Sequence, residues 1–430
     1  MPNPRRSRPI RVVLAIACAL ALAGCAASPG AAPEPPELPL VPTEQAEFRT
    51  EDVQQAMHRL MDAGAPAVLV EVRDEHGVWR SSLGERRYGD GQAADPLAPV
   101  RVASITKSMI GVILMQLVQE GRLSLDDDVE RHAPGLLSPP APVTLRMLAD
   151  HTSGAPEYIG TFDLADVRSL PGVLTADYEE QELVERVREQ PWRFAPGSSF
   201  EYSNTNYLVL GLVLERAGGR PLAELIRERV AEPIGAETTF LPSGLETPEG
   251  MAHGYFTESG VYVDVTRQSG SIWAGAGGVV STVGEVNTFF RAVMRGEYLD
   301  RARLAEYLRL NAWGYGIGVQ GREDPCPAPA ASPAPPAPER TEAADPGSRP
   351  GPLAPAGPGA TAQLQIGEPG MVYGHMGSGL GFRMLSFSTP DGARQVTVSW
   401  TASPPDYGAD PRLEPAQAVV DAALLATCPG

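Results

Sequence analysis

Lys107 is the only lysine in the 430-residue chain; the other 34 Lys/Arg positions are arginine. A guanidinium keeps its proton in any protein environment, whereas a lysine amine stripped of water can lose its proton and serve as a base. Three residues earlier stands Ser104, in the run Ser104-Ile105-Thr106-Lys107. On a helix, positions i and i+3 project from one face within hydrogen-bond reach. The pair has the makings of an activated nucleophile and its base. With 25 serines in the chain, chance alone places one three residues before a given lysine about once in seventeen, so the pair needs partners elsewhere.

Two further stretches supply candidates. In Tyr202-Ser203-Asn204, a phenol near a cationic lysine is expected to have its pKa lowered and to relay a proton between nucleophile and leaving group. The Asn204 amide is both donor and acceptor and can orient Lys107 and a substrate amide together. The third stretch is Tyr373-Gly374-His375-Met376-Gly377-Ser378, followed by Gly379-Leu380-Gly381. Its small residues let a substrate backbone lie along a strand edge. A backbone N–H there, with that of Ser104 at a helix N-terminus, would form an oxyanion hole. His375 is a candidate for assisting proton transfer or shaping the local field.

Several elements must hold these residues. Met109, Ile110, Ile113, Leu114, Leu117 and Val118 make the serine-bearing helix mostly apolar and therefore buried, with Gly121 at its C-terminal stop. Glu51–Met61 reads as a helix, and Ala67–Val72 with Val78–Leu83 as a hairpin. Residues 106–231 read as a helical lobe without strand alternation. Ala276–Thr282 and Gly314–Val319 are expected strands, separated by a helix over Val286–Arg295. Phe382–Ser388 and Gln395–Thr401 flank Pro390-Asp391-Gly392, a hairpin signal, and Glu414–Ala426 is an amphipathic helix. Strands at both ends with helices between predict an α+β fold: an antiparallel sheet flanked by N- and C-terminal helices, with an inserted helical lobe. The nucleophile would sit in the cleft between the two.

The periphery speaks of location. Arginines at 5, 6, 8 and 11 precede an apolar run from Val12 to Ala23, too short for a permanent span, and then Leu22-Ala23-Gly24-Cys25. Residues 1–24 read as an export signal, and the last four residues resemble a bacterial lipobox that would lipidate Cys25 and anchor the chain to the membrane. Residues 25–50 read as a Pro-rich tether and 51–430 as the domain. Within it, 325–369 contain thirteen prolines and few apolar side chains, so an insertion over about 323–370 is expected to be disordered. Cys326 and Cys428 remain, and an extracytoplasmic compartment favours one disulfide between them. Neither has a neighbour at metal-ligand spacing. The formal charge of −18, with no basic block beyond the N-terminus, argues against nucleic acid as a partner.

Taken together and in this order, the three stretches resemble the serine β-lactamase and penicillin-binding superfamily, in the branch of class C β-lactamases and D-alanyl-D-alanine carboxypeptidases. Similarity extends to Leu148-Ala149-Asp150-His151-Thr152-Ser153-Gly154, to Phe200-Glu201-Tyr202-Ser203-Asn204, and to Gly275-Ala276-Gly277-Gly278. The resemblance implies Ser104 as the acylated nucleophile and Lys107 as its base. It implies Tyr202 as the base for the deacylating water, Asn204 as a hydrogen-bond bridge, and the N–H groups of Ser104 and Ser378, beside Gly377, as the oxyanion hole. His-x-Gly at 375–377 is similar to the carboxypeptidase type, whereas Met376 replaces the usual threonine. Arg322 is the candidate anchor for a substrate carboxylate, and His151 a structural support. The expectation is a monomeric, cofactor-free hydrolase of D-alanyl-D-alanine stem peptides that β-lactams acylate. An esterase or amidase and a β-lactamase are alternatives, as is a non-catalytic module that binds muropeptides or β-lactams.

Overall fold

In the computed structural model, β1 (Ala67–Arg73), β2 (Val78–Gly84), β3 (Gln320–Glu323), β4 (Met371–Gly379), β5 (Phe382–Ser388) and β6 (Gln395–Trp400) form one antiparallel sheet, ordered β2-β1-β6-β5-β4-β3. The structure describes residues 49–164, 169–258, 260–326, 366–404 and 409–429. The export signal, Cys25, nearly all of the tether and most of the Pro-rich insertion lie outside the described residues. Strands from the early and late parts of the described domain meet where β1 pairs with β6, with Val70 opposite Val398. This is the antiparallel, mixed helix-and-sheet fold that the distribution of strand signals predicts.

Strand alternation sorts the side chains between two cores. Val68, Val70 and Val72 of β1 face α1 (Thr50–Asp62) and the C-terminal helix, while Ala67 and Leu69 face the larger core around the serine-bearing helix. Helix α1 presents Val53, Ala56, Met57 and Leu60, an i, i+3, i+4, i+7 stripe, to that first core. Each such buried Val or Leu contributes about 1.5–3 kcal/mol. Glu71, a buried carboxylate on the inward face of β1, is held by Arg73 and Arg80 at 2.7 Å each and by Asn287 at 3.0 Å.

Helix α2 (Ile105–Gln119) buries twelve of its fifteen residues, which makes it the central post of the fold rather than a surface helix. From there to Ile234 the described backbone forms helices and no strand. They include α3 (Asn204–Gly218), which packs on α2. The helix α4 (Val283–Met294), capped by the Thr282 side chain on Glu285, backs β1, β5 and β6. Helix α5 (Leu413–Ala426) lies beside α1. Cys326, just beyond β3, and Cys428, just beyond α5, are joined by a disulfide.

Two strand expectations differ from the structure, and one small sheet had no expectation. Within Ala276–Thr282 only Val280–Ser281 is a strand, paired with Val100–Arg101; Ala274–Gly277 is a helical turn pressed against α3, where a Cβ at Gly275 would lie 2.7 Å from the Tyr207 carbonyl oxygen. Gly314–Val319 is a turn, and the strand starts at Gln320, because Gly314 and Gly318 adopt φ of +78° and +73°. A small sheet of Tyr255–Glu258, Val261–Asp264 and Ala402–Ser403 was not anticipated: its parallel pairing joins segments nearly 150 residues apart, which no local pattern announces.

Candidate active site

The backbone turns sharply into the nucleophile. Ala103 has φ of +47°, a conformation that costs a non-glycine residue about 1–3 kcal/mol and persists only where the surroundings impose it. Ser104 follows as the N-cap of α2, but its hydroxyl makes no capping bond. The hydroxyl instead meets Lys107 Nζ at 3.1 Å, at the base of a cleft of about 870 Å³. Ser104 N–H lies in the first turn of the helix, where donors have no intrahelical acceptor.

Lys107 is fully buried. Its Nζ also donates to Asn204 Oδ1 at 2.8 Å and to the Ala276 carbonyl at 2.6 Å, with the rings of Tyr202 and Tyr207 centred 4.9 and 5.4 Å away. Burial lowers its pKa to about 7, against the opposing charge of Glu157. A neutral amine has two N–H bonds and one lone pair. Both oxygens it meets on Asn204 and Ala276 are acceptors only, so the two protons go there. The lone pair is left facing the Ser104 hydroxyl.

Tyr202 overturns one expectation: its phenol pKa is raised. Burial disfavours the phenolate and the Glu157 charge adds to this, outweighing the interaction with Ser104. At neutral pH it is a proton donor beside the serine rather than a standing base. His151, at φ of +60°, stacks on the Tyr202 ring at 4.2 Å and accepts from Ser203 N–H and Asn206 Nδ2 at 3.2 and 3.1 Å. It holds the phenol in place.

His375 also departs from its expected part. Its Nδ1 donates to the Met376 carbonyl at 2.7 Å, and its Nε2 accepts from the Tyr315 hydroxyl at 2.8 Å. Burial, with Lys107 nearby, lowers its pKa to about 3. A neutral imidazole with both nitrogens engaged has no proton to exchange, so His375 braces the strand and Tyr315.

Strand β3 pairs with β4 only at Met371–Gly374, which leaves the edge His375–Gly379 open toward the cleft. Gly377 is where that edge approaches the serine: a Cβ there would lie 2.3 Å from the Val102 carbonyl oxygen. Ser378 and Met376 line the cleft beside it. Arg322 also lines the cleft, but Asp421 of α5 pairs with its guanidinium, which lies 5.4 Å from the Phe387 ring centre. It is therefore not the free carboxylate anchor that was expected. The other arginine at the cleft, Arg101, is buried and donates to the Gln268 carbonyl at 2.6 Å.

Two residues escaped the sequence reading. Tyr315 comes from the turn taken for a strand. Glu157 lines the cleft, where Asn204 N–H and Nδ2 donate to its Oε2 at 2.6 and 3.1 Å. Its one signal was its place three residues after the Asp150–Gly154 motif. Phe200 and Trp313, stacked at 5.8 Å, and Trp273, Leu380 and Phe382 make much of the remaining wall apolar, with Gln268, Gln320 and Gln417 among them. Among the described residues no cluster of His, Cys, Asp and Glu could hold a metal ion.

The chain is similar to several known proteins. The chain is 28% identical over 283 residues to the D-alanyl-D-alanine-carboxypeptidase/endopeptidase AmpH of Escherichia coli, across 62% of this chain and 68% of that one. It is 28% identical over 304 residues to the esterase EstB of Burkholderia gladioli, across 62% and 74%. The structure of a D-stereospecific amidohydrolase from Streptomyces sp. superposes with a TM-score of 0.68 at 25% identity, covering 86% of this chain and 97% of that one. The family model described as Beta-lactamase matches residues 53–418. The chain belongs to that family and is a serine hydrolase built on the β-lactamase/transpeptidase fold.

Proposed function

We propose that the protein cleaves the D-alanyl-D-alanine end of peptidoglycan stem peptides through an acyl-enzyme on Ser104. The observation that carries this is the buried Lys107 amine, 3.1 Å from Ser104 Oγ and bonded to two oxygens that only accept, so that its neutral form keeps a lone pair for the serine. Lys107 takes the hydroxyl proton as Oγ attacks the scissile carbonyl. The N–H groups of Ser104 and Ser378 receive the oxyanion. Tyr202 gives its phenolic proton to the leaving nitrogen and takes one back from Lys107, so no free phenolate arises. Water then attacks the ester, its proton following the same path in reverse. The substrate backbone would lie along the open edge of β4.

A second reading has its own support. Arg322 is paired to Asp421 and the other arginine lining the described cleft, Arg101, is buried and bonded to the Gln268 carbonyl, which favours an amidase or esterase acting on neutral acyl groups, as the names of two relatives suggest. One panel separates the readings: a D-alanyl-D-alanine peptide, its C-terminal amide, a nitrophenyl ester and a chromogenic cephalosporin. Release of D-alanine from the free acid at a rate at least equal to the amide supports the carboxypeptidase. Turnover of amide and ester without the free acid supports the second reading, and turnover of the cephalosporin alone a β-lactamase. Absence of any covalent Ser104 adduct with a fluorescent penicillin or an activated ester would leave the non-catalytic binding module. We further propose export and lipid anchoring at Cys25, for which loss of palmitate incorporation in Cys25→Ser is the test.

A further inference from the structure

The Asn204 amide has a donor end and an acceptor end, and which one faces Lys107 decides what the lysine can do. Were Nδ2 to face it, the amine would have to accept there and its lone pair would be spent away from the serine. Glu157 closes off that arrangement. A carboxylate only accepts. Its Oε1 takes the Ile159 N–H at 2.8 Å, and its Oε2 takes both the backbone N–H and the Nδ2 of Asn204. With Nδ2 so engaged, Oδ1 is left for Lys107 Nζ at 2.8 Å.

We infer that Glu157 is a positioning residue for the hydrolytic reaction, locking the Asn204 amide so that the Lys107 lone pair stays aimed at Ser104. This rests on the reading of Ser104 and Lys107 as nucleophile and base. The same carboxylate acts on Lys107 through space and favours its protonated form. The other titratable groups around the amine are neutral near pH 7. Burial raises the phenols of Tyr202 and Tyr207, from the approach to α3 and from α3 itself. Burial lowers the imidazoles of His151, from the loop after Ala149, and His375, from β4. Asp150, beyond Tyr207, is occupied by Thr152 at 2.6 Å. Glu157 is thus the carboxylate that sets the charge balance of the lysine.

The single lysine makes this directly measurable. Protein grown on lysine labelled with 13C at Cε, with a lysine-free tag, shows one lysine signal whose titration is that of Lys107. Glu157→Gln removes the charge and keeps one oxygen for Asn204, giving up the bond from the Ile159 N–H. Its lysine midpoint should fall by about 0.5–1 pH unit relative to the wild type. The acid limb of kcat/KM for a nitrophenyl ester should move by the same amount. Glu157→Ala frees the amide and should lower kcat/KM by about 10–100-fold with little change in KM, which Gln at the same position restores. An unchanged lysine midpoint in Glu157→Gln, or undiminished kcat/KM in Glu157→Ala, overturns the inference. If the wild type forms no Ser104 adduct and turns over no substrate of that panel, the hydrolase reading fails, while the lysine titration still decides whether Glu157 controls the amine.

Discussion

Replacing Lys107 puts the chemistry to its most direct test. With a pKa near 7, about three-quarters of the amine is free base at pH 7.5, whereas a solvated lysine would be about one part in a thousand. Burial on α2 therefore raises the population of the competent base by about 10³. Lys107→Arg places a guanidinium that has no accessible free-base form, and Lys107→Met keeps length and apolar character without a base. Both should slow acylation of Ser104 by at least about 10³, read by intact-protein mass after mixing with a nitrophenyl ester or a fluorescent penicillin. Lys107→Met should still melt cooperatively, so loss of reaction will not be loss of fold. In the wild type the acylation rate should climb as pH rises through 7, because the proton must leave the amine first. The same displaced pKa governs stability. The unfolded chain holds this proton up to about 10.5 and the folded chain only to about 7, so the fold gains stability as pH rises across that window and loses it as pH falls back toward 7. The contribution is on the order of 5 kcal/mol and should vanish from the pH dependence of Lys107→Met. Acylation of Lys107→Met within tenfold of wild type, or a flat wild-type profile between pH 6 and 8.5, would refute a proton-accepting role.

Other perturbations address the cleft and its frame. Gly377→Ala puts a methyl group 2.3 Å from the Val102 carbonyl, so β4 must move off the serine; kcat/KM should fall by about 10², and unchanged kinetics would mean that the edge does not hold the substrate. Asp421→Ala should release Arg322 and raise the turnover of a free-acid peptide relative to its amide by about tenfold, a ratio that stays constant if Arg322 cannot reach the substrate. Cys428→Ser opens a loop of 102 residues and should cost about 3–5 kcal/mol in denaturant unfolding, with little effect on the rate of acylation.

Much of the frame was legible because it is written in periodicity. The stripe on α1, the alternation of the terminal strands and the apolar run of α2 each report burial locally, and sheet assembly from both chain ends follows from where those signals fall. Ser104 and Lys107 were legible for a different reason: in a chain that has otherwise turned to arginine, the lysine stands out. Gly314–Val319 misled because glycines flanked by apolar residues look like a strand, while two positive φ values make a turn. Glu157 and Tyr315 were silent because one carboxylate and one phenol in loops carry no periodic signal.

By itself the sequence determined the residue types available to the chemistry, their order, and the elements that carry them, since these follow from side-chain identity and short-range pattern. Tertiary structure alone decided their protonation and their partners. Burial, a property of contacts between segments a hundred residues apart, makes Lys107 a base, keeps Tyr202 a phenol and holds His375 neutral. Folding brings Asp421 onto Arg322 and Glu157 onto Asn204, and so withdraws an expected anchor and supplies an unexpected support. Proton affinity and hydrogen-bond direction depend on local dielectric and on what lies across the gap, and neither is encoded at the position that titrates.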